Sequence, residues 1–268
     1  DERDHAAVVA SLHAFFRPAS VAVLGASPRP GSIGGELFRN IVEGGFAGAA
    51  YPVNRAGAAV AGVPGYASIE EVPERVDLAV VCLPAEVVLE AAETALGLGV
   101  RALCDVTAGF AELGHEGAER QDRLLALVRT HGARLIGPNC LGIASSVSSL
   151  NATFAHTGAM AGNIAFVSQS GALVTAVLDW AKARGIGFST LVSVGNESDL
   201  SVGELGQMLI EDPETDVLVL FLETLRNQAH VDELARVAHK TGKPVMTYVL
   251  GRSDLGRTLA QSHTGAMI

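Results

Sequence analysis

The sequence predicts an α/β fold with two doubly wound parallel-sheet domains. Three observations predict it. Short β-branched runs alternate with Ala- and Leu-rich stretches of helical length over most of the 268 residues. This strand–helix alternation is the signature of parallel sheets with helices on both faces. The central strand candidate Asp77–Leu83 is apolar almost throughout rather than alternating, as expected where both faces of a sheet are covered. A stretch rich in Ser, Ala, Thr and Gly, Ser145–Gly162, has weak periodicity and divides the alternation into two series. Domains are therefore expected at 1–150 and 151–268, each near the usual size of about 150 residues.

Each element follows from local pattern. Ser20–Leu24 (SVAVL) reads as a strand ending at Gly25, and Glu36–Gly44 as a helix stopped by Gly44-Gly45. Ala49–Val53 is a second short strand. After strand Asp77–Leu83 come helix Ala85–Leu98, strand Val100–Val106 and helix Gly117–Thr130, which carries its Leu and Val on one face. Arg134–Ile136 begins a strand closed by Gly137-Pro138-Asn139. Beyond the break, strands are expected at Asn163–Val167, Phe188–Val194, Asp216–Leu222 and Pro244–Leu250. Helices are expected at Ala172–Arg184, Val202–Ile210 and Ala229–His239. Gly251–Ile268 has no apolar period and reads as a loop.

Composition removes several functions. Lys plus Arg is 19 against 29 Asp plus Glu, a net charge of −10, which argues against nucleic acid as a partner. Hydrophobic residues at 49% and charged residues at 18% suffice for a core and exclude intrinsic disorder. Mean hydropathy is +0.32, yet no apolar run approaches the ~20 residues of a membrane span, so no membrane partner is expected. Asp1-Glu2-Arg3-Asp4-His5 is too polar to open a signal peptide. The three Cys, at 82, 104 and 140, are odd in number and lack C-x-x-C spacing. Neither a disulfide framework nor a metal ligand set is expected, and a reducing, cytoplasmic location is the simplest reading.

In doubly wound sheets ligands sit at the carboxyl ends of the strands. Gly25–Gly35, after the first strand, is rich in small residues and leads into a helix start, where free N–H groups attract anions. Gly25, Ser27, Arg29 and Ser32 make it a candidate phosphate cradle, with an ordinary Gly-rich turn as the alternative. It is not a Walker A loop, and Ser27 replaces the second Gly of the NAD fingerprint. The second strand ends in Asn54-Arg55 with no acid for a ribose hydroxyl. That pair suits an extra ribose phosphate, which both NADP and coenzyme A carry.

In the second half, Ser168-Gln169-Ser170-Gly171 follows a strand. A G-x-S-x-G elbow is excluded because Ser168 stands where the first Gly is needed. A helix N-cap and an anion nest remain equally open. Gly195, Asn196 and Asp199 end the next strand, and Glu223 follows the apolar strand after it. Glu223 reads as either a surface carboxylate or an acid aimed into the crevice. The run Ser262-His263-Thr264-Gly265-Ala266 holds one of eight His. His156-Thr157-Gly158-Ala159 repeats its letters and is read as coincidence.

Taken together, Phe16-Arg17-Pro18 through Ser27, Tyr51-Pro52-Val53-Asn54, Leu83-Pro84-Ala85, Thr107-Ala108-Gly109-Phe110-Ala111-Glu112 and Gly137-Pro138-Asn139-Cys140-Leu141-Gly142 resemble, in this order, the NDP-forming acyl-CoA synthetases, relatives of the succinyl-CoA synthetase α subunit. The resemblance implies a Rossmann-like CoA-binding domain followed by a flavodoxin-like domain. It places Gly25, Ser27, Arg29, Ser32, Asn54 and Arg55 near the nucleotide of CoA. Pro84, Gly109, Phe110 and Asn139 would lie toward the pantetheine and thiol. It favours the anion-nest reading of Ser168, Gln169, Ser170 and Gly171, with Gly195, Asn196 and Asp199 shaping the same pocket. It makes His263 the phosphorylated residue and Glu223 its orienting acid.

The implied reaction is acyl-CoA + ADP + phosphate ⇌ acid + CoA + ATP, on a small carboxylic acid. It needs an ATP-grasp domain or subunit to bind ATP or ADP with Mg2+, and the sequence to Ile268 contains none. Many relatives carry Lys where Val249 stands here, two residues ahead of Gly251-Arg252-Ser253. That departure keeps open a non-catalytic CoA-sensing module associated with an acyltransferase. An NADP-dependent oxidoreductase is a third reading, for which no nicotinamide site is found.

Overall fold

The computed structural model describes residues 12–250. In the first sheet, strands β1 (Ser20–Leu24), β2 (Ala49–Val53), β3 (Leu78–Val81), β4 (Ala102–Asp105) and β5 (Arg134–Ile136) lie in the order β2-β1-β3-β4-β5. All pairs are parallel, with Val21 opposite both Ala50 and Leu78. Successive residues of β1 enter different cores. Val21 and Val23 pack with Leu37, Phe38 and Ile41 of helix α1 (Ile33–Glu43). Ala22 and Leu24 pack with Val88 and Leu96 of α2 (Ala85–Gly97) and with Leu124 and Val128 of α3 (His115–Thr130). Both faces of the sheet are thus covered, and the uniformly apolar strands follow from that.

The second sheet has the order β11-β10-β8-β9-β6-β7. Its parallel part is β8 (Ala161–Ser168), β9 (Phe188–Ser193), β10 (Val217–Leu222) and β11 (Val245–Val249). Helices α4 (Gly171–Lys182), α5 (Val202–Glu211) and α6 (Gln228–Thr241) connect these strands. Helix α4 packs one face through Val174 and Leu178. The other face, with Leu205 and Leu209 of α5 and Leu234 of α6, joins the α1 face of the first sheet in one continuous core.

Two expectations are corrected. An antiparallel hairpin absent from the expected strands, β6 (Gly142–Ser145) and β7 (Leu150–Thr153), runs into the weakly periodic stretch Ser145–Gly162 and extends the second sheet beyond β9. The first sheet ends at Ile136 and the second begins at Gly142. Both strands have four residues, built largely from Gly, Ala, Ser, Asn and Thr, so they lack the β-branched run that marks a strand. Helix α1 also begins at Ile33 rather than Glu36, because Gly34 and Gly35 occupy its first turn. A Cβ on Gly34 would sit 2.3 Å from the Gly25 carbonyl oxygen, and one on Gly35 2.2 Å from that of Ser27. Residues that look like helix breakers are what lets the helix start press against the preceding loop.

Across the chain, Arg134 of β5 pairs with Asp199 (Nε–Oδ2 2.9 Å) and Glu204 (Nη2–Oε1 3.1 Å). Asn40 Nδ2 donates to the carbonyls of Thr153 and Ala155 at 2.8 and 2.9 Å. These bonds tie the first sheet and α1 to the second.

Candidate active-site cleft between the two sheets

In the parallel part of each sheet the chain leaves the first strand to pair on one side, then crosses to the other. The resulting switch points lie between β1 and β3 and between β8 and β10. A cleft of about 870 Å³ runs between the strand exits of both sheets. From the first sheet it takes Cys82-Leu83-Pro84 after β3, Val106-Thr107-Ala108 after β4 and Asn139-Cys140-Leu141 after β5. From the second come Gln169-Ser170-Gly171 after β8, Gly195-Asn196 after β9, and Glu223, Thr224 and Arg226 after β10. Ile33 and Phe154 add apolar wall.

The expected site residues divide into three groups. Pro84, Asn139, Gln169, Ser170, Gly171 and Glu223 line the cleft together. Gly25, Ser27, Arg29 and Ser32 form the loop before α1, which reaches the cleft at Ile33. Ser27 Oγ accepts from the Arg29 N–H at 3.2 Å, and Ser32 Oγ donates to the Arg29 carbonyl at 2.8 Å. Asn54 closes its own turn, donating to the Ala58 carbonyl at 2.8 Å and accepting from the Ala58 N–H at 2.9 Å. Arg55 beside it is exposed. Neither Asn54 nor Arg55 lines the cleft.

The third group is buried or bonded within the protein. Phe110 is fully buried in the core beneath α2 and α3, where its size fills space rather than meeting a thiol. Gly109 is buried beside it, with a Cβ position 2.8 Å from the Ala85 methyl. Ser168 is likewise fully buried, and its hydroxyl is spent on the Ser170 backbone: it donates to the carbonyl at 2.9 Å and accepts from the N–H at 3.0 Å. Asp199, expected in the phosphate pocket, holds Arg134 and accepts from the Leu135 N–H at 2.9 Å. Ser170 caps α4 by accepting from the Leu173 N–H at 3.4 Å. The N-cap reading thus holds at Ser170, and the turn Gln169-Ser170-Gly171 that carries it lines the cleft. His263 lies outside the described residues.

Several residues were not expected. Glu112, quoted above only within a motif, bridges the domains. Its Oε1 accepts from the backbone N–H groups of Gly109 (2.5 Å) and Phe110 (3.1 Å), and its Oε2 from Asn196 Nδ2 at 2.6 Å. Burial opposes its ionisation, but the bonds from Asn196, Gly109 and Phe110 outweigh it and hold the carboxyl below its ordinary range. Asn139 donates to Asn196 Oδ1 at 3.2 Å, and Arg226 Nη1 donates to the Asn196 carbonyl at 2.9 Å. Glu197 is buried, with its carboxyl pushed up by burial against the bonds from Val202 and Gln169 and the charge of Arg226. Asp105, at the end of β4, is pushed up to about 7 by burial. Position at a strand exit, the signal that found Glu223, also applies to Asp105 and Arg226.

A paired switch-point cleft of this kind defines a two-domain α/β protein with its candidate ligand site between the two sheets. Residues 19–146 match the CoA binding domain family, and residues 148–268 the succinyl-CoA ligase like flavodoxin domain family. The chain is 37% identical over 262 residues to the α subunit of acetate–CoA ligase [ADP-forming] I of Pyrococcus furiosus, covering 96% of this chain and 56% of that protein. It is 35% identical to 4-hydroxybutyrate–CoA ligase [ADP-forming] of Nitrosopumilus maritimus, covering 94% and 36%. The dinucleotide forming acetyl-coenzyme A synthetase 1 of Ca. Korarchaeum cryptofilum, solved with phosphate and ADP, superposes with a TM-score of 0.89 at 35% identity, covering 96% of this chain and 55% of that one. The chain belongs to the NDP-forming acyl-CoA synthetase family, relatives of the succinyl-CoA synthetase α subunit. It spans about half the length of the first of these relatives and a smaller share of others. Among the described residues no helix is long and apolar enough to cross a membrane.

Proposed function

We propose that this chain is the CoA-binding, phosphohistidine-bearing part of an ADP-forming acyl-CoA synthetase, working with an ATP-grasp domain or subunit outside this sequence. The observation that carries the reading is the cleft itself. It brings Pro84 and Asn139 of the CoA-binding domain to face Ser170, Gly171 and Glu223 of the flavodoxin-like domain. Inorganic phosphate held at the start of α4 attacks the thioester carbon, giving an acyl phosphate and free CoA. A neutral imidazole nitrogen of His263 then takes the phosphoryl group and releases the carboxylate. Glu223 orients the ring through its other nitrogen and stabilises its positive charge. The phosphoryl group passes finally to ADP, bound with Mg2+ on the ATP-grasp part. The acid is a small carboxylic acid.

Radiolabelled ATP and the ATP-grasp partner test the reading. Wild-type chain acquires an acid-labile, base-stable label and His263→Asn does not, while both bind CoA equally by calorimetry. Undiminished labelling of His263→Asn overturns the assignment. CoA binding with no label in the wild type returns the chain to the sensing role.

A further inference from the structure

We propose that Gln169 is a positioning residue: its carboxamide, anchored by the Glu197 carboxylate, fixes the backbone that carries Glu223 into the cleft. The inference rests on the role proposed for Glu223. A primary carboxamide offers two donors and two acceptor sites, and the Gln169 side chain uses all four. Nε2 donates to Glu197 Oε2 at 2.5 Å and to the Thr224 carbonyl at 2.9 Å. Oε1 accepts from the N–H groups of Glu223 at 2.6 Å and Thr224 at 3.0 Å. No capacity is left for a phosphate oxygen, so the side chain serves the protein rather than the ligand.

The geometry extends the sheet. The last paired residues of β8 and β10 are Ser168 and Phe221, followed by one backbone bond from the Gln169 N–H to the Phe221 carbonyl at 3.2 Å. Beyond it β10 ends at Leu222, and residues 225–227 have no regular structure. The Gln169 side chain supplies the missing rung, engaging both the N–H and the carbonyl of Thr224 as a neighbouring strand would. The backbone dictates which way the amide faces, because the Glu223 and Thr224 N–H groups only donate and so must meet the oxygen, which turns the nitrogen to Glu197. The other oxygen of Glu197 accepts from the Val202 N–H at 2.8 Å, which fastens the anchor to the first residue of α5. The exit of β10 is thereby referenced to β8 and α5 at once.

Hydrogen exchange by NMR on this chain tests the positioning directly. Gln169→Met keeps the volume and removes the rung. Exchange at the Glu223 and Thr224 amides is expected to accelerate about tenfold or more, the loss of one net hydrogen bond, with Leu220 unchanged. Gln169→Asn, one methylene too short to reach, gives the same result if the Met variant fails to fold. With the ATP-grasp partner present, the phosphoryl-transfer rate falls at least as far, while the Kd for CoA stays at its wild-type value. Unchanged exchange at Glu223 and Thr224 in a folded variant overturns the proposal. Faster exchange with an unchanged transfer rate overturns the link to chemistry. The His263→Asn labelling run in parallel reports separately on the function itself.

Discussion

Asp105, buried directly behind the cleft residues Val106 and Thr107, is the sharpest quantitative test of the electrostatics at this strand exit. It ends β4 with 1% of its surface exposed. Oδ1 accepts from the Thr107 N–H at 3.0 Å, while Oδ2 and the Thr107 hydroxyl are buried with no hydrogen-bond partner among the described residues. Burial is the main cause that lifts the carboxyl from 3.8 to about 7; the Thr107 contacts oppose it and the Glu112 charge adds to it. The folded protein therefore keeps a proton that the unfolded chain releases above about pH 4. The sign follows: the contribution to stability is complete below the unfolded pKa and is lost as pH rises through about 7. At about 1.36 kcal/mol for each tenfold change in proton affinity, the full difference is about 4 kcal/mol. Asp105→Asn keeps the acceptor for Thr107 and removes the charge. Its stability gain over wild type is expected to grow from about 1.5 kcal/mol at pH 5 to about 4 kcal/mol at pH 8.5. Urea unfolding at the two pH values measures both. A difference that does not change with pH, or a wild type that is more stable at pH 8.5, refutes the assignment of an uncompensated buried charge.

Other outcomes follow from the same geometry. Arg134→Met strands the Asp199 and Glu204 carboxylates, whose side chains are 7% and 16% exposed. It is expected to cost about 3 kcal/mol by denaturant unfolding, and a loss below about 1 kcal/mol would remove the clamp from the account of how the sheets are joined. Arg55→Ala is expected to weaken CoA binding while leaving dephospho-CoA binding unchanged, because the exposed guanidinium is available to a ribose phosphate. Asn54→Ala is expected to weaken both ligands alike, because its amide closes the turn to Ala58. Calorimetry with the two ligands separates these cases, and equal effects of Arg55→Ala on both would take the phosphate role from Arg55.

The parts of the fold that could be read from the letters are those where one physical demand dominates. Strands covered on both faces must be apolar along their whole length, so β1, β3 and β10 stand out, and a strand's end is where its backbone opens to a ligand. That rule located the cleft, because the exits of β3, β5, β8 and β10 all line it. It could not say what each polar side chain there is spent on. Gln169, Ser168 and Asp199 stand at strand exits with the right chemistry for an anion, and in the fold each is consumed by a neighbour: Thr224, Ser170 and Arg134. Two of these partners lie 55 and 65 residues away along the chain, beyond any local pattern. The hairpin β6–β7 was hidden for a related reason, since only Ile143, Leu150 and Ala152 of its short, small-residue strands enter the core, where they meet Leu37, Phe38 and Ile41 of α1, far along the chain. A strand exit thus calls for two kinds of polar residue: some hold the exits together, and others are left to face the ligand. Only the second kind is catalytic, and telling them apart requires the partners. In this cleft Gln169 and Ser168 belong to the first kind, and under the proposed function the start of α4 at Gly171 belongs to the second. Substituting Gln169 should therefore slow transfer without weakening CoA, whereas substituting Gly171 should affect the anion itself.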